Sequence, residues 1–391
     1  MKRNIYLKTI PPAEAIARVK ASIDREALIR EETIPSHEAS GRVLAHAVHA
    51  RYSSPTFHSA AMDGYAVNAR STFAAREGHP LTLKAGETCF AVNTGHPMPE
   101  GCDAVIMIEQ VVLDGGSVTI EAPAFPWQHV RRIGEDIVAT ELLFPRNHQL
   151  RPWDVGALLS GGIWDVPVWE RVTVRIIPTG DEVLDFTTHP DPGKGQVVES
   201  NSQMLAALAR ELGCVVERAA PVPDNPEALH QALKDSLDAG RHLTIFCAGS
   251  SAGSKDFTRA TLEKEGEILT HGIAAMPGKP SLLANCRGRL VAGAPGYPVS
   301  ALVCFKELLE PLISWLSHRE PPAKTVVPVE LTRTVPSRPG VEEHVRVSIG
   351  RVGDKLVAFT FGSAVNEHTF DTHVEKADTD YDGAFTIINK L

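Results

Sequence analysis

Residues 214–247, CVVERAAPVPDNPEALHQALKDSLDAGRHLTIFC, carry the pattern that decides the fold. Apolar residues dominate 214–219 and 243–247, and leucines recur at helical spacing over 226–237 between them. The stretch therefore predicts a strand, a helix and a second strand in that order. Such alternation is typical of helices that cover a mostly parallel sheet.

The alternation continues on both sides of this stretch. Upstream, residues 172–177 predict a strand and 202–212 predict a helix. Downstream, a strand at 290–292 is followed by a strongly apolar helix that extends to about residue 316. We therefore expect one three-layer αβ domain, with a parallel-rich sheet, over 171–319.

The rest of the chain has different residue patterns, and we expect four domains in all. Short β-rich runs divided by Gly and Pro turns occupy 51–136 and predict an inserted β-rich domain. Residues 1–50 and 137–170 predict a helical linking domain around it, with an amphipathic helix at 12–30. After a Pro-Pro linker, residues 320–391 predict a small C-terminal β domain resembling a barrel.

Composition excludes several classes of protein. A chain of 391 residues exceeds the usual size of one core, and its net charge of −9 disfavours broad, phosphate-driven binding of nucleic acid. Six scattered cysteines without a Cys-x-x-Cys pair predict free thiols in a reducing compartment, so the expected location is cytoplasmic. No apolar run is long enough for a bilayer, and no membrane association is expected.

Three loops follow predicted strands at the edge where parallel sheets bind ligands. They are PTGDE at 178–182, AGSSAGSKD at 248–256 and GAPGYP at 293–298. The second loop can close backbone N–H groups on a phosphate, with a plain strand-to-helix turn as the alternative. Residues 249–253 also fit the Gly-x-Ser-x-Gly form of a hydrolase nucleophile, which keeps a hydrolase as a distant alternative.

Two charged residues stand among residues that restrict the backbone. Lys279 lies between Gly278 and Pro280, where it can be a point charge for phosphate or another oxyanion, or an ordinary solvated lysine. Asp63 follows an apolar run and precedes Gly64, which suits a carboxylate at a tight turn facing a cleft. The alternative for this residue is a turn aspartate that caps its own backbone.

Several carboxylates fall on the predicted ligand edge of the sheet. They are Asp181, Glu182, Asp224 and Asp256. Carboxylates beside a phosphate cradle indicate Mg²⁺, a hard cation with oxygen ligands. A second reading of Asp224 stays open, because either it or Asn225 can cap the helix that begins at Pro226.

Taken together, the motifs resemble those of the molybdopterin molybdenumtransferase family, which includes the MoeA proteins and the gephyrin E domain. The resemblance covers most of the chain. Its ordered matches are AAMDGYA (60–66), TGHPMPEGCDAV (94–105), RRIGED (131–136), TGDE (179–182), SNS (200–202), GSSAGSKD (249–256), PGKP (277–280) and PGYPVSA (295–301).

The resemblance implies a four-domain, elongated homodimer. Its active site would lie between the αβ domain of one subunit and the Met-Asp-Gly-containing β domain of the other. The implied reaction inserts molybdate into adenylylated molybdopterin with Mg²⁺, releasing AMP and yielding molybdenum cofactor. An adenylyltransferase that supplies the substrate and molybdoenzymes that receive the product are the implied partners.

The resemblance also implies roles for individual residues. The expected catalytic residues are Asp63, Glu182 and Lys279, and the expected metal ligands are Asp224 and Asp256. The residues expected to bind pterin, phosphate or molybdate are Thr94, Asp136, Gly249, Ser251, Gly253, Pro280, Pro295, Gly296, Pro298, Ser300 and Arg346.

Four departures from the family pattern mark this chain as a divergent member. FHSAA at 57–61 stands where the family has Phe-Asp-Asn-Ser-Ala, Ala248 replaces a glycine, and Tyr297 replaces an asparagine. GSAVNE at 362–367 replaces the usual Ser-Met-x-x-Ala-Asn-Gly run. Two other functions therefore stay open: a catalytically weakened molybdopterin carrier, sensor or scaffold, and a tungstate-preferring variant.

Overall fold

The structure is a computed structural model and describes residues 8–247, 257–334, 339–360 and 385–388. The chain forms two compact units. One is Glu31–Val168, and the other combines Met1–Arg30 with Trp169–Leu391. The division into four domains stays a prediction.

The N-terminal residues form two helices instead of the single helix expected over 12–30. Helix α1 spans Pro12–Ser22 and α2 spans Arg25–Leu28. Between them, the Asp24 carboxylate accepts a hydrogen bond from the Ala27 N–H at 3.1 Å. This cap begins a new helix and explains the interruption.

The unit Glu31–Val168 consists mainly of short strands. They are β1 (Glu31–Pro35), β2 (Val48–His49), β3 (Ser59–Ala60), β4 (Gly64–Val67), β5 (Leu81–Lys84), β6 (Cys89–Val92), β7 (Ala104–Met107), β8 (Val112–Asp114), β9 (Ser117–Ile120), β10 (Val130–Arg131), β11 (Leu142–Phe144) and β12 (Asp165–Trp169), with helix α3 at Pro152–Ser160. Strands β6-β4-β7 and β5-β9-β8 form antiparallel sheets whose buried side chains share one apolar cluster, which includes Val67, Ile106 and Val118.

The second unit contains the predicted αβ alternation. Its elements are β13 (Thr173–Pro178), β14 (Val183–Leu184), β15 (Val197–Val198), α4 (Asn201–Glu211), β16 (Val215–Arg218), α5 (Pro226–Asp238), β17 (Leu243–Cys247), α6 (Phe257–Glu265), β18 (Gly266–His271), β19 (Ala275–Met276), β20 (Leu282–Cys286), β21 (Arg289–Ala294), α7 (Pro298–Cys304) and α8 (Glu310–Leu316). A π-helical turn at Phe305–Leu309 joins α7 to α8.

Within the described residues, the central sheet has six strands in the order β16-β13-β17-β21-β20-β18. The first four strands are parallel, as predicted, whereas β20 and β18 pair antiparallel and make the sheet mixed. The leucine stripe of α5, formed by Leu229, Leu233 and Leu237, packs with Ile177 and Phe246 of the sheet in one buried cluster. Burial of this face fixes the helix on the sheet.

The C-terminal residues add strands to this unit. They are β22 (Glu330–Leu331), β23 (Glu342–Val352), β24 (Lys355–Thr360) and β25 (Phe385–Ile388). Their described parts form a sheet in the order β19-β23-β24-β22, with β25 beside β23. Ala275 and Met276 of β19 pair in parallel with Glu342 and Glu343 of β23. A closed barrel in this region stays a prediction.

All six cysteines are free thiols, and most are buried. Burial raises the pKa of the Cys214 and Cys286 thiols to about 12, so both stay protonated at neutral pH. In the part of the chain that the structure describes, no helix has the length and apolar character needed to span a membrane.

Candidate functional site

A cavity of about 840 Å³ opens at the carboxyl ends of β13, β17 and β21. Pro178 lies opposite Cys247, and Cys247 lies opposite Ala294, so the loops after these three strands begin at one level of the sheet. The volume is in the range of small-molecule sites. This is the edge where the sequence predicts ligand binding.

Most of the predicted site residues in this unit line this cavity. They are Glu182, Asp224, Lys279, Pro280, Pro295, Gly296, Pro298 and Ser300. The cavity therefore brings together four segments that are far apart in the sequence.

The glycine- and serine-rich loop begins directly after Cys247, which lines the cavity. Its predicted binding residues Gly249, Ser251 and Gly253 and the predicted metal ligand Asp256 lie outside the described residues. Their roles stay predictions.

The backbone that carries Lys279 is held on both sides. The Lys279 carbonyl accepts a hydrogen bond from the Ile273 N–H at 2.9 Å, and the Gly278 carbonyl accepts one from the Ser281 hydroxyl at 2.7 Å. Gly278 has φ +114, and a Cβ there would lie 3.2 Å from Val303 Cγ1. The Lys279 side chain is exposed and, within the described residues, no carboxylate pairs with its ammonium.

The two readings of Asp224 are resolved by its neighbour. The Asn225 carboxamide oxygen accepts hydrogen bonds from the N–H groups of Glu227 at 2.9 Å and Ala228 at 3.1 Å, so Asn225 is the helix cap. Asp224 lies on the cavity wall, and its N–H donates to the Asp181 carboxylate at 3.0 Å. Among the described residues, no three or more His, Cys, Asp or Glu side chains are grouped so that they could hold a metal ion.

Glu182 is positioned by the segment that follows it. Its carbonyl accepts a hydrogen bond from the Val197 N–H at 2.9 Å, where β14 pairs with β15. The Glu199 N–H then donates to the Leu184 carbonyl at 2.9 Å. This pairing closes residues 183–198 into an arm at the side of the cavity.

Arg218 joins that arm to helix α4 through a partly buried polar cluster. Its guanidinium donates to the Asp185 carboxylate at 3.1 Å and to the Ser202 hydroxyl at 3.0 Å, and lies 3.5 Å from Glu199. The N–H of Thr187, followed by the Arg218 guanidinium, lowers the pKa of Asp185 despite the opposing effect of burial. The cluster keeps the arm attached to the wall that includes Glu199.

Sequence reasoning missed Glu199 and assigned no site role to Asn201. Glu199 is 6% exposed, lines the cavity and accepts a hydrogen bond from the Ser202 N–H at 2.7 Å. The Asn201 carboxamide donates to the Gly296 carbonyl at 2.7 Å and so ties α4 to the loop after β21. The only sequence sign of either role is the position of both residues in the Glu-Ser-Asn-Ser run at 199–202.

Asp63 lies in the other unit, directly before β4. Its carboxylate accepts hydrogen bonds from the Thr94 N–H at 2.7 Å and from the Thr94 hydroxyl at 3.1 Å, rather than capping its own backbone. These two bonds, the backbone one first, lower the pKa of Asp63. Two predicted site residues are therefore in direct contact.

We predict that Thr94→Val raises the pKa of Asp63 toward that of an ordinary aspartate, because it removes one of the two donors. The native bonds favour the charged carboxylate, so their contribution to folding is present above the ordinary Asp pKa and is lost as the pH falls through the lowered value. Carboxyl titration by NMR measures the shift. Thr82→Val is the control, because Thr82 contacts Thr119 instead; an unmoved Asp63 titration in Thr94→Val contradicts the prediction.

The remaining predicted residues are placed as follows. Asp136 is paired with the Arg131 guanidinium in the same unit as Asp63. His58, in the divergent flank of the Met-Asp-Gly motif, accepts a hydrogen bond from the Ile133 N–H at 3.1 Å. Arg346 is an exposed residue of β23, whose residues do not line the cavity. The binding roles of Asp136 and Arg346 stay predictions.

Two family models match the chain. Residues 10–162 match "MoeA N-terminal region (domain I and II)", and residues 175–315 match "Probable molybdopterin binding domain". The second match contains every cavity-lining residue described above.

Relatives and solved structures agree with these matches. The chain is 34% identical over 309 residues to the molybdopterin molybdenumtransferase of Haemophilus influenzae, covering 74% of each chain. It is 31% identical over 356 residues to molybdopterin molybdenumtransferase 2 of Mycobacterium tuberculosis, covering 84% of this chain and 86% of the relative.

The fold is similar to that of the molybdopterin biosynthesis MoeA protein of Pyrococcus horikoshii, with a TM-score of 0.74, 28% identity, and 91% and 90% of the two chains covered. A molybdopterin biosynthesis MoeA protein of Pyrococcus horikoshii OT3 gives a TM-score of 0.70 at 26% identity, with 92% of this chain and 91% of that chain covered. The architecture is thus the multidomain α/β fold of the MoeA proteins, and the chain belongs to the molybdopterin molybdenumtransferase family.

Proposed function

We propose that this protein acts in molybdenum cofactor biosynthesis, inserting molybdate into adenylylated molybdopterin with release of AMP. One observation carries the proposal: a single cavity at the ligand-binding edge of the sheet is lined by Lys279, Glu182 and Asp224. A cation and two carboxylates in one cavity suit a substrate that combines oxyanions with a phosphoanhydride.

In the proposed reaction, Lys279 holds an oxyanion, either a substrate phosphate or molybdate. Its exposed ammonium is carried on a backbone that is already fixed, so only the side chain is ordered when the anion binds. The Ser300 hydroxyl lines the same cavity and can donate a second hydrogen bond to such a group. Both interactions stabilise negative charge as the phosphoanhydride breaks.

Glu182 is proposed to orient a water molecule that attacks the phosphorus of the molybdopterin phosphate. The bond from that phosphorus to the bridging oxygen breaks, and AMP leaves with the oxygen. Asp63, whose carboxylate is held by two hydrogen bonds from Thr94, is proposed to orient a reacting group in the assembled homodimer. The dimer, the supplying adenylyltransferase and the receiving molybdoenzymes are part of this proposal and rest on the family to which the chain belongs.

The described residues fit a Mg²⁺ ion that is bound jointly by protein carboxylates and substrate phosphates. Glu182 and Asp224 are two carboxylates that line the cavity, and Mg²⁺ usually combines one or two carboxylates with water and substrate phosphates. Asp224 and Asp256 are the proposed ligands. The ion, when bound, would neutralise charge on the phosphoanhydride oxygens.

The experiment incubates the full-length protein with adenylylated molybdopterin, molybdate and Mg²⁺, and follows AMP and molybdenum cofactor. We expect AMP release that requires molybdate and is abolished by a chelator. Binding of the nucleotide without AMP release would refute the transferase function and favour a carrier, sensor or scaffold. A parallel series with tungstate distinguishes an enzyme that prefers that oxyanion.

A further inference from the structure

We propose that Tyr297 is the platform on which a planar nitrogen heterocycle of the substrate stacks in the cavity. The proposal rests on the proposed function and adds a specificity-determining residue to it. The heterocycle is either the pterin or the adenine of an adenylylated substrate, and the experiment below separates the two.

The side chain of Tyr297 is largely exposed to solvent. Tyr297 is 82% exposed although it lines the cavity. A tyrosine ring gains much of its stabilising effect by burying its faces, and here the fold buries almost none of them. A flat ligand entering the cavity can cover a face that the protein leaves open.

The Tyr297 side chain does not help to form the helix it precedes. It occupies the N-cap position of α7, and its side chain makes no capping hydrogen bond. Asparagine, aspartate and serine are the residues that stabilise this position. The local structure therefore gives no reason for an aromatic side chain, whereas a ligand in the cavity does.

The backbone that carries the Tyr297 ring is held by hydrogen bonds on both sides. Tyr297 stands between Gly296 and Pro298, and the Gly296 carbonyl is held by the Asn201 carboxamide at 2.7 Å. The Tyr297 carbonyl accepts a hydrogen bond from the Ala301 N–H at 2.9 Å. With the backbone held, stacking needs to order only the side-chain torsions of Tyr297.

The surroundings suit a molecule with one aromatic and one anionic end. The cavity is lined in part by the apolar residues Met276, Val197 and Val198. Lys279 lines the same cavity and supplies a positive charge. Stacking on an aromatic side chain tolerates different heterocycles, because each has a π face. Tyr297 can thus fix the ring while Lys279 fixes an oxyanion.

The test compares wild-type protein with Tyr297→Phe, Tyr297→Leu and Tyr297→Asn, all full length. The probes are AMP, measured by calorimetry, and pterin itself, measured by quenching of its fluorescence. We expect Tyr297→Phe to bind like wild type, and Tyr297→Leu and Tyr297→Asn to lose roughly tenfold in affinity for at least one probe. The probe that loses affinity identifies the stacked ring.

Stability measurements keep the result interpretable. Tyr297→Asn places a good capping residue at the helix start, so its melting temperature should equal or exceed that of wild type. The proposal is overturned if wild type binds neither probe, if all variants bind both probes equally, or if Tyr297→Phe is as weak as Tyr297→Leu. The last result would indicate a hydrogen bond from the hydroxyl instead of stacking.

This outcome is separable from that of the proposed function. A wild-type protein that binds a probe through Tyr297 but releases no AMP refutes the transferase activity and leaves the stacking platform intact. Release of AMP with the same KM in wild type and Tyr297→Asn refutes the platform and leaves the transferase activity intact.

Discussion

Replacing Lys279 by alanine is expected to lower kcat/KM for AMP release by about 100- to 1,000-fold, which is the usual effect of removing one preorganised group that stabilises developing negative charge. Lys279 supplies the ammonium in a cavity whose other charged residues include Glu182 and Asp224. Without it, an incoming oxyanion meets carboxylates and no compensating cation from this loop. The loss should therefore affect the binding of anion and the reaction together.

The fold should tolerate this change. The Lys279 side chain is exposed, and the hydrogen bond from the Ile273 N–H is made to the main chain, which alanine retains. The melting temperature should match that of wild type. Lys234→Ala is the matched control, because Lys234 is an exposed lysine of α5 outside the cavity. A Lys279→Ala enzyme within about threefold of wild type would remove Lys279 from the catalytic residues.

Replacing Gly64 by alanine is expected to lower the free energy of unfolding of its unit by about 2–4 kcal/mol. Gly64 pairs with Val92 on one side and Met107 on the other, so both neighbouring strands approach its Cα. A Cβ at this position would lie 2.0 Å from the Ile106 carbonyl oxygen. The clashing atoms are main chain of Ile106 and Ile108, which cannot yield as a side chain would, so the sheet must open on the β7 side.

Denaturant unfolding measures this loss, and hydrogen exchange of β4, β6 and β7 shows whether it is local. Gly156→Ala is the control in the same unit: Gly156 lies within α3, and a Cβ there meets nothing within 4 Å. That change should stabilise the helix by roughly 0.5–1 kcal/mol. Equal unfolding midpoints for Gly64→Ala and wild type would contradict the prediction, because β4 and β7 would then accommodate a Cβ at residue 64 without loss of stability.

Local patterns predicted the central layer well. Strand β17 was predicted at its observed bounds because it is a short apolar run with every residue buried. Helix α5 was predicted because Asn225 and Pro226 mark its start and leucines mark its buried face. Strands β18 and β20 were missed, since β20 is a short apolar run with a polar Asn285 and resembles many loop segments.

Site residues could be predicted from the sequence only where they lie within a short, recognisable motif. Lys279 was identified because Gly278 and Pro280 flank it, and it does line the cavity. The contact between Asn201 and Gly296 was not, because it joins residues 95 apart and exists only once α4 packs beside the loop after β21. For Asp63 the sequence offered a self-capping turn only as the alternative to a carboxylate facing a cleft, and neither hypothesis named its partner Thr94, 31 residues away.

The pairing of β19 with β23 has a thermodynamic consequence for the site. Strand β19 ends at Met276, directly before the segment that carries Lys279, and the Glu342 N–H donates to the Ala274 carbonyl at 2.8 Å. A ligand that binds this segment more tightly when the two strands are joined must, by reciprocity, favour their joining by the same factor. Ligand binding in the cavity and the pairing of β19 with β23 are then thermodynamically coupled, so a measurement of either one reports on the other.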